Sequence, residues 1–287
     1  LAAEYDCVKL YRHPDGENRG AGASRNLGII NSTSDYIAFL DADDVYLPGR
    51  FCVAERMLEA DPTLDGVYEA IGLEIDSQTG WLRWQSARRS TNALYTITTQ
   101  ISPEQLFDAL IRGGVGFFTV NGLTVRRSIF NKTGLYDEHL RLHQDHIMNF
   151  KMAAVARLAP GRLEEAVATY RIHENNRISA PRPQWQVYSA RMKMWFTMWE
   201  WSRRHLTPDK QQRVVFRLVA KAMSTPLISF KLPQLLRPVQ GRLQLILITF
   251  VHPRLALTRV FWQRLLALGV VGKVLRTVTT PLVRMGK

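Results

Sequence analysis

The feature that most limits what this chain can fold into is an apolar stretch that runs into a cluster of acids. Asp35-Tyr36-Ile37-Ala38-Phe39-Leu40 has the length and the β-branched and aromatic content of a short buried strand, and it delivers Asp41-Ala42-Asp43-Asp44 at its carboxyl end. Gly20 opens a helical pattern over residues 21–30 before it, and Pro48 opens a second one after it, with apolar positions at Phe51, Ala54, Met57 and Leu58. Helix, strand and helix in this order predict α/β construction, in which ligands gather outside the carboxyl ends of strands. Three carboxylates in four residues repel one another unless donors or a cation compensate. Two arrangements satisfy that need. One is a divalent ion, Mg2+ or Mn2+, held through one or two of the acids and completed by phosphate oxygens and water. The other is a polar turn whose aspartates cap the next helix. A calcium-binding EF-hand is excluded, because glycine is missing from the sixth loop position and Pro48 follows too soon.

Further along, Val67–Ile75 and Trp81–Trp84 flank Asp76-Ser77-Gln78-Thr79-Gly80 as in a hairpin. Ser102-Pro103-Glu104-Gln105 is a capping box that opens a helix through Ile111. Thr119–Val125 reads as a strand, Asp145–Leu158 as a helix and Ala166–Arg171 as a strand, and beyond Pro181-Arg182-Pro183 the pattern turns helical and rich in tryptophan. With 46% hydrophobic residues, 22% charged and two cysteines, the chain is not a disordered, collagen-like or disulfide-stapled sequence. Cys7 and Cys52 read as small buried hydrophobes, in a reducing compartment or indifferent to redox. The expected division is a domain over residues 1–180 followed by a helical, basic region over residues 181–287.

That second region is set apart by its charge. Residues 1–209 hold 24 Lys and Arg against 25 Asp and Glu, whereas residues 210–287 hold 14 Lys and Arg and no acid. Such an excess seeks a polyanion. Apolar runs such as Leu243–Val251 and Val260-Phe261-Trp262 separate the cations, which favours an anionic membrane surface over nucleic acid. A basic helical cap packed on the first domain would carry the same pattern. No run free of Asp, Glu, Lys and Arg reaches the roughly 18 residues needed to span a bilayer, and Gly113–Val125 stops at thirteen. The first residues show no basic, then apolar, signal sequence, and a start at Leu1 suggests the remainder of something longer.

Three further residues invite chemistry. Arg25 lies in Gly20-Ala21-Gly22-Ala23-Ser24-Arg25-Asn26, a poor match to dinucleotide and P-loop fingerprints, whose glycines suit a tight turn into a helix; its guanidinium offers a fork to a carboxylate, phosphate or base. Asp145 sits where a helix begins and is either an N-cap or a general base. His173 follows a strand and is either structural or a ligand for a divalent ion.

Taken in order, five blocks resemble the family 2 glycosyltransferases of GT-A fold. They are Asn18–Ile29, Asp35–Asp44, Thr124–Phe130 with Gly134–Glu138, Gln144-Asp145, and Tyr170–Ser179. The resemblance covers residues 8–180 and implies a mixed, mainly parallel sheet flanked by helices. It implies inverting transfer of a sugar from a nucleotide-diphosphate donor, with a UDP-sugar as the leading case, to a hydroxyl acceptor; the charge of the basic region, and not the resemblance, suggests that the enzyme is held on the cytoplasmic face of the membrane beside a polysaccharide or lipid-linked glycan acceptor. On these matches Asp41 would lie near the donor's ribose or diphosphate, Asp43 and His173 would hold a divalent metal, Arg25 would contact the nucleotide, Arg171 would help hold the phosphates and Asp145 would be the catalytic base. Gln144 stands where many members carry Glu, which is expected to tune the acceptor site. Nothing before Arg19 matches the family's first βαβ portion, so the chain resembles an N-terminally truncated member, expected on its own to bind nucleotide sugar weakly or not at all. A non-catalytic scaffold and a basic polyanion-binding protein are the readings from other classes.

Overall fold

The computed structural model describes residues 4–88, 94–176, 180, 182–224, 245–249 and 252–266. Residues 177–179 of the last motif, and 225–244 and 267–287 of the basic region, lie outside these. The chain divides into two compact units, Leu1–Pro181 and Arg182–Lys287.

In the first unit α1 (Ala21–Asn31), β1 (Tyr36–Ala38), β2 (Val45–Tyr46), α2 (Cys52–Ala60), β3 (Gly66–Tyr68), β4 (Ile71–Ile75), α3 (Gln78–Arg88), β5 (Leu94–Tyr95) and α4 (Pro103–Arg112) follow in order. Next come a 3-10 turn at Val120–Gly122, β6 (Leu123–Arg126), α5 (Ile129–Thr133), α6 (Gln144–Val155), β7 (Leu158–Pro160) and β8 (Ala168–Ile172). The strands form two four-stranded sheets, β1-β6-β3-β7 and β2-β8-β4-β5. Helix-flanked mixed sheets are what the resemblance implies, but they are not mainly parallel. Among the described strands only β3 with β7 and β4 with β8 run parallel. β6 lies between β1 and β3 and opposes both, so these two share a direction without touching.

Cys7 and Cys52, expected to be buried, are both exposed. The departures in secondary structure have local causes. The apolar run Val67–Ile75 is two strands in different sheets, because the chain crosses over at Glu69 and Ala70, whose N–H groups donate to the carbonyls of Gly122 and Arg162. Trp81–Trp84 is helical within α3, not the second arm of a hairpin, because Trp84 is buried against Tyr170 and Tyr95. The strand expected from Thr119 starts only at Leu123, after the 3-10 turn. Ser102 stands at the N-cap of α4 with Pro103 next, but its backbone carbonyl accepts Gln105 N–H and its hydroxyl makes no cap bond. The core forms where α2 lays Ala54 and Leu58 over Val67 of β3, beside Leu64 and Ala159. This buried face fixes β3 next to β6, and β6 next to the strand that ends in the acids.

The second unit has α7 (Gln184–His205) and α8 (Pro208–Ser224), a 3-10 segment at Pro253–Leu257 and α9 (Arg259–Leu266). α7 and α8 pack through buried Trp195, Met198 and Trp199 on one side and Val214, Leu218 and Val219 on the other.

Candidate active site

β1 ends at Ala38, and the acids follow in a turn closed by Asp44 N–H to the carbonyl of Asp41. The three aspartates have different surroundings. Asp44 is buried: Asn121 Nδ2 and the N–H of Arg171, 3.0 Å away, both donate to it. Burial nevertheless dominates and pushes its carboxyl up to about 6. Asp41 receives Arg25 Nη2 at 2.6 Å, while Asp43 is 45% exposed and meets His173.

Arg25 links two distant parts of the sequence. It projects from α1, is 9% exposed, and donates Nη2 to Asp41 and Nη1 to Asp145. The rings of Tyr136 and Phe39 lie 5.6 and 5.9 Å from its guanidinium carbon. Burial works against the charge of Arg25, but Asp145 and Asp41 outweigh it and hold the guanidinium more firmly charged than in water. Burial also raises the Tyr136 hydroxyl, with Asp145 adding to the effect. The next residue, Asn26, fixes this arrangement. Its side chain donates to the Tyr136 carbonyl at 2.9 Å and accepts the Tyr136 N–H at 2.8 Å, pairing with that backbone as a strand would. Ser24-Arg25-Asn26 and Gly134–Glu138, separate blocks in the sequence, are thus one structural unit.

Asp145 lies in the first turn of α6, one place inside the helix and not at the N-cap. The N-cap is His143, whose φ of 63 is left-handed, the only such non-glycine among the described residues. Backbone strain of this kind costs about 1–3 kcal/mol and persists where the surroundings impose it. Two glycines let α1 approach. Gly20, at φ 90, starts the helix, and a Cβ on Gly22 would sit 3.2 Å from the Gln144 side chain. Gln144 is buried and donates Nε2 to the Leu140 carbonyl. A glutamate there would face that carbonyl with a carboxylate, which is a physical reason for glutamine at this position.

His173 follows β8. Its Nε2 lies 3.0 Å from Asp43 Oδ2, and its Nδ1 accepts the Asn175 N–H at 3.2 Å, so a neutral ring carries its proton on Nε2. The loop is set by Asn176, which accepts the His173 N–H at 2.6 Å and donates to the Arg171 carbonyl at 3.1 Å. Behind it stands α3. A Cβ on Gly80 would lie 2.6 Å from the His173 carbonyl carbon, and Arg83 donates to the Glu174 carbonyl. Arg171 contributes backbone to the site. Its guanidinium pairs with Asp76 at 3.1 Å, and holding phosphates would require that pair to open.

Asp43 and His173 suit a hard divalent cation. Their donor atoms are 3.0 Å apart, and neighbouring ligands around an octahedral ion at 2.0–2.1 Å are about 3 Å apart. Presenting Nε2 to an ion requires the ring proton to move to Nδ1, with the Asn175 amide turning away. Among the described residues no group of three or more His, Cys, Asp and Glu surrounds one point, so substrate oxygens and water would supply the rest of the shell.

Arg25, Asp41, Asp43 and Asp145 line one cleft of about 360 Å³. His173 joins it through Asp43, and Arg171 does not line it. Three residues that the sequence pattern does not single out organise the acids, Asn121 directly and Arg50 and Glu69 behind it. Asn121, 2% exposed, accepts the Asp41 N–H and donates to Asp44. Its own carbonyl accepts Arg50 Nε at 3.0 Å, and Arg50 donates to the fully buried Glu69 at 3.1 Å. The one signal in the sequence is an asparagine inside the charge-free run Gly113–Val125.

Comparison with known proteins gives a consistent picture. The family model described as glycosyl transferase family 2 matches residues 1–134. An uncharacterized glycosyltransferase of Haemophilus influenzae is 23% identical over 159 residues, covering 54% of this chain and 48% of that protein. The succinoglycan biosynthesis protein ExoO of Rhizobium meliloti is 29% identical over 133 residues, 46% of this chain and 36% of that protein. The chain therefore spans about half or less of the length of these relatives. Among solved structures, Staphylococcus aureus TarS 1–349 in complex with UDP-GlcNAc shares the fold at a TM-score of 0.52 and 13% identity, covering 88% of this chain and 78% of that one.

Proposed function

We propose that this chain, whose residues 1–134 match the family model described as glycosyl transferase family 2, forms the donor-binding and catalytic cleft of an enzyme that moves a sugar from a nucleotide diphosphate to a hydroxyl acceptor. The reading rests chiefly on one observation. Arg25 holds Asp145 and Asp41 on a single guanidinium, so an acid from a helix start and the acids of a strand end share one cleft with Asp43.

In the proposed reaction Asp145 accepts the proton of the acceptor hydroxyl as its oxygen bonds to the anomeric carbon. The bond from that carbon to the diphosphate oxygen breaks on the opposite side, its electron pair leaves with the diphosphate, and the configuration inverts. Asp43 and His173 would hold a divalent cation, which when bound supplies positive charge to the departing diphosphate. Asp41 faces the ribose or diphosphate, and Arg25 keeps Asp41 and Asp145 in position beside the nucleotide. Because TarS, which shares the fold, was solved in complex with UDP-GlcNAc, UDP-sugars are the first donors to test.

Calorimetric titration of the chain with UDP, carried to millimolar concentration with and without Mn2+, tests this reading. Binding is expected to be weak, to strengthen with Mn2+ and to be lost in Asp43→Asn. Gly80→Ala, which pushes the His173 backbone away, is expected to reduce the Mn2+-dependent affinity about tenfold or more, the scale for a support behind a ligand. UDP binding that ignores both substitutions would contradict the assignment.

The second unit supplies a place to act. Its exposed Leu257 (85%) and Trp262 (49%) sit among Arg254 and Arg259 in a stretch without acids, the chemistry of a segment lying on anionic headgroups. No described helix is long and apolar enough to cross a membrane. Co-sedimentation with phosphatidylglycerol vesicles is expected for the full chain and lost on deleting residues 210–287; full retention after deletion would refute a membrane role for this region.

A further inference from the structure

The cleft has aromatic walls to which the reaction described above gives no task. Four near-parallel rings lead into it from the core. Tyr68 and Phe118, both 0% exposed, stack at 4.9 Å; Phe117 stacks on Phe118 at 5.8 Å, and His146 on Phe117 at 4.4 Å and 18°. The inner pair is inaccessible, while Phe117 and His146 are half-buried and line the cleft. Tyr95 of β5 and Tyr170 of β8 line it too, braced by Trp84 at 6.4 and 5.2 Å. The ladder therefore ends beside the acid, since His146 is the residue after Asp145. The left-handed His143 starts the same helix and sets its ring edge-on to His146 at 5.4 Å. An observed backbone outlier at a cleft is a reason to look for function there.

A saturated sugar ring shows an apolar face of axial C–H groups and a polar edge of hydroxyls. Aromatic rings next to a carboxylate complement those two sides, as expected where a few placed polar groups sit within an apolar, ring-lined site. The acceptor's ring is the one assigned to this wall, because the base has to reach its attacking hydroxyl while the donor's ring is held through its diphosphate at the strand-end acids. We propose that Phe117 and His146, with Tyr95 and Tyr170 in the same cleft, form an acceptor subsite for a pyranose ring, so that the acceptor is the terminal sugar of a glycan and not an acyclic polyol. This inference rests on the reading of Asp145 as the base.

Saturation-transfer NMR on the full chain, with methyl β-D-glucopyranoside and methyl β-D-galactopyranoside as probes and ribitol as the acyclic control, tests it. At least one glycoside is expected to receive saturation, strongest on its ring C–H protons, and ribitol none. His146→Ala is expected to weaken that binding about tenfold, as loss of an aromatic contact does, while His146→Phe retains it, because a ring is needed and an imidazole is not. Phe117→Ala is the second variant and is expected to show the same loss. UDP binding, followed in every sample, is expected to stay at the wild-type level. Equal binding of ribitol, no effect of either alanine variant, or displacement of the glycoside by uridine would overturn the proposal; the last would assign the wall to the nucleobase. If UDP binds with its Asp43 dependence but no glycoside does, the acceptor subsite alone falls. Loss of UDP binding from the wild-type chain would remove the functional reading itself.

Discussion

Asp145→Asn should lower turnover by at least about a hundredfold while leaving the affinity for the nucleotide donor close to that of the unchanged enzyme. The amide keeps the shape of the carboxylate, and its oxygen can still accept the bond from Arg25 Nη1, so the link from α1 to α6 survives. What disappears is the capacity to take a proton. The effect should therefore appear in kcat and not in the KM for the donor. Steady-state release of UDP with acceptor present checks this, and unchanged turnover would remove Asp145 from the mechanism.

Glu69→Ala should unfold at markedly lower urea, with a loss of about 3–5 kcal/mol. Glu69 is fully buried and accepts from Arg50, which is itself 2% exposed, at 3.1 Å, and from Arg162 at 3.3 Å. Truncation leaves Arg50 charged in a buried place without its carboxylate. Removing one partner of such a pair costs far more than the pair contributes when intact. The consequence should reach the cleft, because Arg50 also holds the carbonyl of Asn121, whose side chain sets Asp41 and Asp44. A loss below about 1 kcal/mol would show that water replaces the missing acid.

The sequence discloses the parts of this site that carry charge or end a strand. Asp41, Asp43 and Arg25 are legible because acids after an apolar strand, and a guanidinium after paired glycines, are unusual choices that need a reason, whereas Asp145 is marked by its place at a helix start and by the resemblance. The supports are hidden, for physical reasons. Glu69 looks like a polar residue within an apolar run, and nothing local marks it as buried, since its partners lie 19 and 93 residues away. α3 is hard to read because Trp81, Leu82 and Trp84 give no helical repeat of apolar positions, and only the cross-chain contact of Trp84 with Tyr170 selects the helix. The direction of the strands also escapes the pattern. A strand's pattern records burial and not direction: β6 is buried at Leu123, Thr124 and Val125, and nothing in that shows that it opposes both neighbours.

Whether the strand-end acid and the histidine hold a cation in the cleft of Asp145 can be seen directly by locating manganese through its anomalous signal, in crystals of the chain grown with UDP and MnCl2. A single strong peak is expected within bonding reach of Asp43 and His173, with the diphosphate on it and Asp145 facing the same cleft. A peak bound elsewhere, or UDP seated outside the cleft of Arg25, Asp41 and Asp145, would contradict the assignment.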